Sequence, residues 1–306
     1  MILFMINIHR YLKFLICLMF YTSSLYSKTS FPGADTFSST VHLSMGGAGY
    51  LKPSSSNFNV NPSIFGGKIF SASIIKYPAS IASQNIGITL PIINNGFSSF
   101  SINHISYGTF DGYTEDFEPT GSYSSSDTRI SGSYGRTFSK IPLRIGIRSN
   151  YYLLKYGNQR FRMLSLGIGS AISSKKQDII LGFSIHDVII NLSENKVALS
   201  PQFVLSGSKK LKYLPLELYL DLTSKDQSSQ TLFFGGEFDL GSSFKFRFGS
   251  STRKFNQNIE KDLFSSIVGA SGLGFGYKSQ NIFFNYGVYM FGTGALAQGI
   301  EIAISL

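Results

Sequence analysis

From residue 67 onward, apolar and polar residues alternate one for one in short runs, the two-residue period of a strand with one apolar and one polar face. In LELYLDL, Leu216, Leu218, Leu220 and Leu222 fall on one side and Glu217, Tyr219 and Asp221 on the other. SFKFRFG sets Phe244, Phe246 and Phe248 against Lys245 and Arg247, and LRIGIRSNYYLL sets Leu143, Ile145, Ile147, Tyr151 and Leu153 against Arg144, Gly146, Arg148 and Asn150. The closing IEIAISL sets Ile300, Ile302, Ile304 and Leu306 against Glu301, Ala303 and Ser305. The pattern predicts fourteen strands, near 68–76, 83–91, 97–107, 127–138, 143–155, 162–173, 178–187, 200–208, 215–223, 231–239, 243–250, 264–276, 281–289 and 297–306.

Alternation alone fits either a β-sandwich with one wet face or a membrane barrel with its apolar face turned to lipid. Three features favour the barrel. The runs are about nine to twelve residues long, enough for a tilted strand to cross a bilayer and longer than the usual five or six. Their number is even, as a closed bacterial barrel requires. Connections after odd-numbered runs tend to be long (GTFDGYTEDFEPTGSYSSS, DVIINLSENKVAL, STRKFNQNIEKDL), whereas those after even ones are short (INNG, FSKIP, SSKKQD, DLGSS, KSQN). Long outer loops and short periplasmic turns sort in that way, and both termini then face the periplasm. The expected fold is an all-β, antiparallel, up-and-down transmembrane barrel of about 14 strands.

Composition supports this picture. Only 14% of residues are charged, against roughly 25% in soluble domains, while the chain has 31 Gly, 28 Phe and 17 Tyr. Tyr107, Tyr151, Tyr152, Phe161, Phe283, Phe284 and Tyr286 fall near expected strand ends, as in an aromatic girdle, although the chain has no Trp.

The N-terminus changes the picture more. Arg10 and Lys13 precede the apolar run Phe14–Tyr21 and the small residues Thr22, Ser23 and Ser24, the layout of a secretory signal peptide. Residues 1–27 are accordingly expected to be a signal peptide, 28–66 a plug or hatch segment and 67–306 the barrel. The single cysteine, Cys17, lies in the signal, and Ile16 before it argues against lipidation. The mature chain then has neither disulfide nor thiolate chemistry.

A formal charge of +10 and a pI near 9.5 raise the possibility of a nucleic-acid partner. The cations are scattered, apart from Lys175–Lys176 and Lys209–Lys210–Lys212, which sit in polar stretches between apolar runs. Solvated turns beside anionic lipid explain them, and no nucleic-acid binding is expected. His42, His104 and His186 lie far apart with no second ligand at i+2 or i+4, and no G-x-S-x-G or P-loop pattern occurs. GLGFG at 272–276 sits inside an alternating run, where its glycines relieve curvature or lumen crowding rather than hold a dinucleotide. Asp111, Glu115, Asp116 and Glu118 match no calcium-loop spacing. No cofactor, metal or enzymatic activity is expected.

The segment before the barrel, rich in Ser, Gly, Asn and Pro, carries the most specific motif. LSMGGAGYLKPSSSNFNVNPSIF resembles the opening of the PorV/PorQ branch of the FadL-like outer-membrane proteins, with Met45, Gly46, Gly47, Ala48 and Gly49 in its turn and Asn61 and Pro62 some fifteen residues later. Ser63 replaces the usual Ala, Val41 stands where Arg is common, and Pro53–Ser54–Ser55 replaces an acidic pair. YGTFDGYTEDFEPTGSYSSSD is similar to an extracellular loop of the same branch, through Tyr107, Gly108, Phe110, Asp111 and Gly121, and GTGALAQGIEIAISL is similar to its last hairpin. The resemblance implies a leader folded into the barrel and an accessory role in the type IX secretion system, with other envelope proteins as partners. The alternative is a FadL-like channel with a hydrophobic small-molecule ligand. Either implies a Gram-negative outer membrane and its lipid as surroundings.

Overall fold

The computed structural model describes residues 36–56, 58–92, 95–114, 116–138, 141–174, 176, 178–192, 199–225, 230–255, 269–291 and 295–306. The expected signal peptide, Cys17 and Glu115 lie outside them. After a one-turn helix α1 (Thr40–Ser44) come fourteen strands: β1 (Ile69–Lys76), β2 (Ala82–Ile92), β3 (Gly96–Tyr113), β4 (Pro119–Thr137), β5 (Leu143–Tyr156), β6 (Gln159–Ser173), β7 (Ile179–Leu192), β8 (Gln202–Lys210), β9 (Leu216–Ser224), β10 (Gln230–Leu240), β11 (Phe244–Ser251), β12 (Ser271–Ser279), β13 (Ile282–Met290) and β14 (Leu296–Ser305). Each pairs antiparallel with its sequence neighbours, and β1 closes on β14 from Ile69↔Ser305 to Lys76↔Gln298. Closure leaves no sheet edge unpaired.

The alternation read from sequence is the inside–outside code of this barrel. Along β9, Tyr219, Asp221 and Thr223 are buried while Leu220 is exposed. In β14, Ala297, Gly299, Glu301 and Ala303 are buried and Ile300 and Ile302 exposed. The outer surface is apolar, with Ile86 at 53% and Phe275 at 59% exposure. The interior is the polar side, where Ser83, Asn85, Asn103, Arg129, Arg148, Asp221, Glu237 and Glu301 are all buried. Such inversion of a soluble protein's arrangement suits a barrel whose solvent outside is hydrocarbon.

One rim carries the start of β1 and the end of β14; it is called the terminal rim here, and the opposite one the far rim. Terminal-rim turns are tight: β12 and β13 are joined by Gln280 and Asn281 alone, with Gln280 in the left-handed region at φ +51°.

The elements differ from expectation in three places. The stretch 107–126, expected as an extracellular loop, is strand: β3 and β4 continue as a two-stranded ribbon as far as Tyr113↔Pro119. The ladder survives because register shifts between Ser106 and Thr109 and at Gly112/Tyr113 absorb the irregularity, with Gly108 at φ +94°. Similarly, β7 runs on to Leu192 past a register shift that includes Asp187 at φ +58°. Strand β12 begins at Ser271, after a turn at Gly269–Ala270 where strand was expected, while the first part of the predicted run, 264–268, lies outside the described residues.

Candidate functional site

The lumen and the segment inside it form the candidate site. Residues between Phe37 and Ile64 are mostly buried, including Leu43, Met45, Ala48, Leu51, Val60 and Asn61. They touch inward-facing positions on β2, β5, β6, β7 and β9 to β14, which surround them. Close approach is possible because many of those wall positions are glycine. A Cβ on Gly87 would lie 2.0 Å from the Ser55 carbonyl oxygen, one on Gly146 2.0 Å from that of Pro62, and one on Gly249 2.0 Å from that of Met45. Gly272 meets the Leu43 carbonyl oxygen in the same way, at 2.3 Å, so the GLGFG glycines answer lumen crowding. Other wall glycines meet leader side chains, Gly182 that of Leu51 and Gly235 that of Ala48, so the wall is fitted to the close approach of the leader as a whole.

Every leader residue of the motif meets this wall. Ser39 caps α1, its hydroxyl accepting from the Val41 N–H at 3.2 Å. The chain then reverses through Gly46 (φ +64°) and Gly47 (φ +96°), conformations that cost a residue with a Cβ far more. Met45 and Ala48 pack with Val41, Tyr219 and Phe233. Gly49 donates its N–H to the buried Asp221 carboxylate at 2.7 Å. Farther on, Asn61 is completely buried. Its Nδ2 donates to the Ser170 and Phe183 carbonyls, each at 3.1 Å, and its Oδ1 accepts from Ser63 N (3.0 Å) and Ser63 Oγ (2.7 Å). A side chain using both ends of its amide in this way explains why Asn is needed there. Pro62 follows with its backbone against Gly146 and its ring against Gly169.

Charged groups of the wall hold the rest. Glu237 Oε1 accepts from Lys52 Nζ at 2.7 Å and Lys245 Nζ at 2.6 Å, and its Oε2 from Arg247 Nε at 2.6 Å. Arg247 Nη1 continues to Asn285 Oδ1 at 2.9 Å, and Asn285 Nδ2 to Glu301 Oε1 at 3.2 Å. Glu301 Oε2 accepts from Ser39 Oγ (2.9 Å) and Thr40 N (3.2 Å) at the start of α1. On the opposite side, Arg148 donates to the Phe58 carbonyl, and the Arg129 guanidinium lies 3.9 Å from the centre of the Phe58 ring. Asp187 Oδ1 gathers Asn150 Nδ2 (3.0 Å), Tyr152 OH (2.6 Å) and Ser165 Oγ (3.0 Å).

Two cavities flank α1. Towards the far rim a space of about 20 Å³, room for a water or so, is bordered by Phe37, His42, Tyr50, Phe233 and Arg253. Burial pushes the His42 imidazole down to about 4, outweighing the raising effect of the Gly47 backbone, and the Arg253 charge adds to the lowering. Towards the terminal rim lies a larger cavity of about 260 Å³. Adjacent residues of one helical turn border the two, His42 the first and Val41 the second.

The second motif is placed differently. Tyr107, Gly108, Phe110 and Asp111 lie on β3 and Gly121 on β4, so these residues belong to the ribbon and not to a loop. Tyr107 OH donates to the Asp127 carboxylate, and Phe110 stacks on Tyr123 with centroids 5.5 Å apart. At the tip Phe117 is 85% exposed. Among the described residues, no group of three His, Cys, Asp or Glu is arranged to hold a metal ion. His186 Nε2 lies 2.9 Å from Ser184 Oγ and His104 Nδ1 2.9 Å from Thr128 Oγ1, each a local pair. The wall partners Asp221, Glu237 and Glu301 were not singled out by motif; their only sequence signal is a charge on the inner phase of an alternating run.

No protein-family model and no curated protein matches the chain. Solved structures do. Two structures of the toluene transporter TodX from Pseudomonas putida match with TM-scores of 0.56 and 0.54 at 8% and 9% identity; each covers 87% of this chain, and 98% and 96% of the TodX chains. A porin from Rhodopseudomonas blastica matches with a TM-score of 0.38 and 8% identity over 78% of this chain and 98% of that one. The closed antiparallel barrel of fourteen strands therefore has a FadL-like fold, shared with TodX.

Proposed function

We propose that this protein is an outer-membrane channel for small hydrophobic molecules, with residues 36–66 acting as a plug that closes the lumen at rest, and that it performs no catalysis. The observation that carries the reading is the likeness in fold to a toluene transporter over nearly that protein's whole length. An apolar exterior and a lumen occupied by the chain's own leader agree with it. With both termini periplasmic, the terminal rim faces the periplasm and the β3–β4 ribbon the outside. The test is uptake of labelled toluene by cells whose outer membrane contains this protein or an unrelated closed barrel. A channel raises initial toluene uptake without admitting polar solutes of similar size. Uptake equal to the control's contradicts it.

A second reading, an accessory component of type IX secretion with envelope-protein partners, is supported by the leader motif from Met45 to Pro62 and by exposed Tyr113 and Phe117 on the ribbon. It predicts that deletion leaves cargo unsecreted or unattached and that secretion components co-purify with the protein. The fold comparison favours transport.

A further inference from the structure

Lys155 on β5 and Arg160 and Arg162 on β6 gather positive charge on the outer face of the barrel near the far rim. Strand alternation fixes their direction: Tyr152, Leu154, Phe161 and Met163 are buried inside, and the cations interleaved with them point out, Arg160 and Arg162 exposed and Lys155 partly so. Lys155 and Arg160 are direct cross-strand partners, and Arg162 occupies the next outward position, opposite Leu153. The strands are joined by Gly157 and Asn158 alone, with Gly157 in the left-handed region at φ +59°. So short a hairpin fixes the register and holds two like charges opposite each other, where they repel. Their height is fixed as well. Arg162 lies ten residues along β6 from Ile172 at the terminal rim. At about 3.3 Å per residue and a tilt of about 40°, that is about 25 Å, the height of the apolar band of such barrels. The outward side chains below the cluster, Tyr151, Leu164, Leu166 and Ile168, are apolar or aromatic and face lipid.

No carboxylate answers this charge among the described residues. None of the three cations is in an ion pair there, and the one side-chain hydrogen bond of the cluster runs from Lys155 Nζ to Ser124 Oγ at 3.0 Å. The carboxylates of β4 and β7, Asp127 and Asp187, face the lumen, where Tyr107 donates to the first and Asn150, Tyr152 and Ser165 to the second. Those of the ribbon stand farther out: Asp111 pairs with Ser122, beyond Ser125↔Tyr156, the last rung that β4 shares with β5, and Asp116 and Glu118 lie towards the tip.

Cations directly above a lipid-facing apolar wall are complementary to a lipid whose head carries phosphate. We propose that this patch is a fixed binding site for a phosphorylated glycolipid of the outer leaflet, its phosphate held by Lys155, Arg160 and Arg162 and an acyl chain lying against Tyr151 and Leu164. Arginine offers phosphate oxygens a planar fork of donors and lysine a compact charge. The bound phosphate also relieves the repulsion across the Lys155–Arg160 rung and so fastens the β5–β6 hairpin. The proposal goes beyond the channel reading and shares with it only the orientation, terminal rim to the periplasm.

The experiment measures binding of diphosphoryl lipid A to the purified full-length barrel in detergent by native mass spectrometry, with phosphatidylcholine as the zwitterionic comparison and inorganic phosphate as the free anion. The wild type should hold lipid A more tightly than phosphatidylcholine by about tenfold or more. Each lysine or arginine beside an anionic headgroup contributes about fivefold. The triple variant Lys155→Gln/Arg160→Gln/Arg162→Gln should therefore weaken lipid A about a hundredfold, and Arg160→Gln alone about fivefold, with phosphatidylcholine unchanged. Lys76→Gln, which removes an exposed cation at the far-rim end of β1, should bind lipid A as the wild type does. Strand content of each variant, read by circular dichroism, confirms folding. Equal affinity of the wild type and the triple variant for lipid A overturns the proposal, as does wild-type binding no tighter than that of phosphatidylcholine. A loss in Lys76→Gln as large as in the triple variant overturns it too, because the effect would then be one of net charge. Displacement of lipid A by millimolar inorganic phosphate would make the patch a site for the free anion and refute the lipid as its occupant.

Discussion

Replacing Asn61 with alanine removes a side chain whose amide joins the leader to β6 and β7 and braces its own turn. Two hydrogen bonds to the Ser170 and Phe183 carbonyls disappear, at about 1 kcal/mol each for neutral pairs. The Ser63 N–H, which Asn61 Oδ1 accepts at 3.0 Å, is left buried without that acceptor, a further cost of about 1–3 kcal/mol. Docking of the leader should therefore weaken by roughly 3–5 kcal/mol, or a hundredfold to a few thousandfold at about 1.4 kcal/mol per tenfold. Asn61→Asp should be at least as damaging, because a second carboxylate oxygen would then face two carbonyl oxygens. Cleavage by proteinase K within residues 36–66 of the purified barrel reads this directly when undocking precedes cutting, since the rate follows the undocked population. Pro53→Ala, at an exposed position of the same segment, is the control and should leave the rate unchanged. An Asn61→Ala protein cut no faster than wild type would refute the reasoning.

Two further predictions concern the exterior and pH. Ile102, midway along the membrane-spanning part of β3 and facing out, should cost about 2–4 kcal/mol when changed to Lys, whereas Phe244→Lys at the terminal rim should cost about 0–1 kcal/mol, both read by urea unfolding from vesicles. His42 is held neutral in the docked leader, at about 4 against 6.5 when released. The released form binds more protons between those values, so docking is at full strength above about pH 6.5 and weakens as pH falls towards 4, by about 3 kcal/mol in all. Proteinase K cleavage should accelerate over that window, and His42→Leu should remove this component; an identical pH profile in the variant would contradict the assignment.

The strands were legible because each carries its inside–outside code in a few residues. Leu220 and Asp221, or Ile300 and Glu301, declare the two faces without any long-range information. Strand ends were less legible. The ribbon beyond Tyr107 is Gly-, Ser- and Asp-rich and reads as loop, yet cross-strand pairing with Ser122–Ser124 carries the ladder on, and a ladder partner is not a local property. The leader divides in the same way. Gly46 and Gly47 and the pair Asn61–Pro62 announce sharp local conformation, and their resemblance to known motifs was visible. What they meet was not, since the Gly49–Asp221 and Lys52–Glu237 contacts join positions 172 and 185 residues apart. The wall glycines carried only a hint of crowding: Gly87, Gly146 and Gly249 make sense once the carbonyls of Ser55, Pro62 and Met45 lie against them.

The seating of the leader within the barrel is tested most directly at Ser55 and Ser71, whose hydroxyl oxygens lie 2.5 Å apart, one on the leader and one on the inner face of β1. In a Ser55→Cys/Ser71→Cys double variant, mild oxidation of intact membranes should form the disulfide nearly to completion, seen by mass spectrometry as two peptides still joined after tryptic cleavage at Lys68. Free thiols at both positions, each open to maleimide and unlinked after oxidation, would contradict a leader lodged in the lumen.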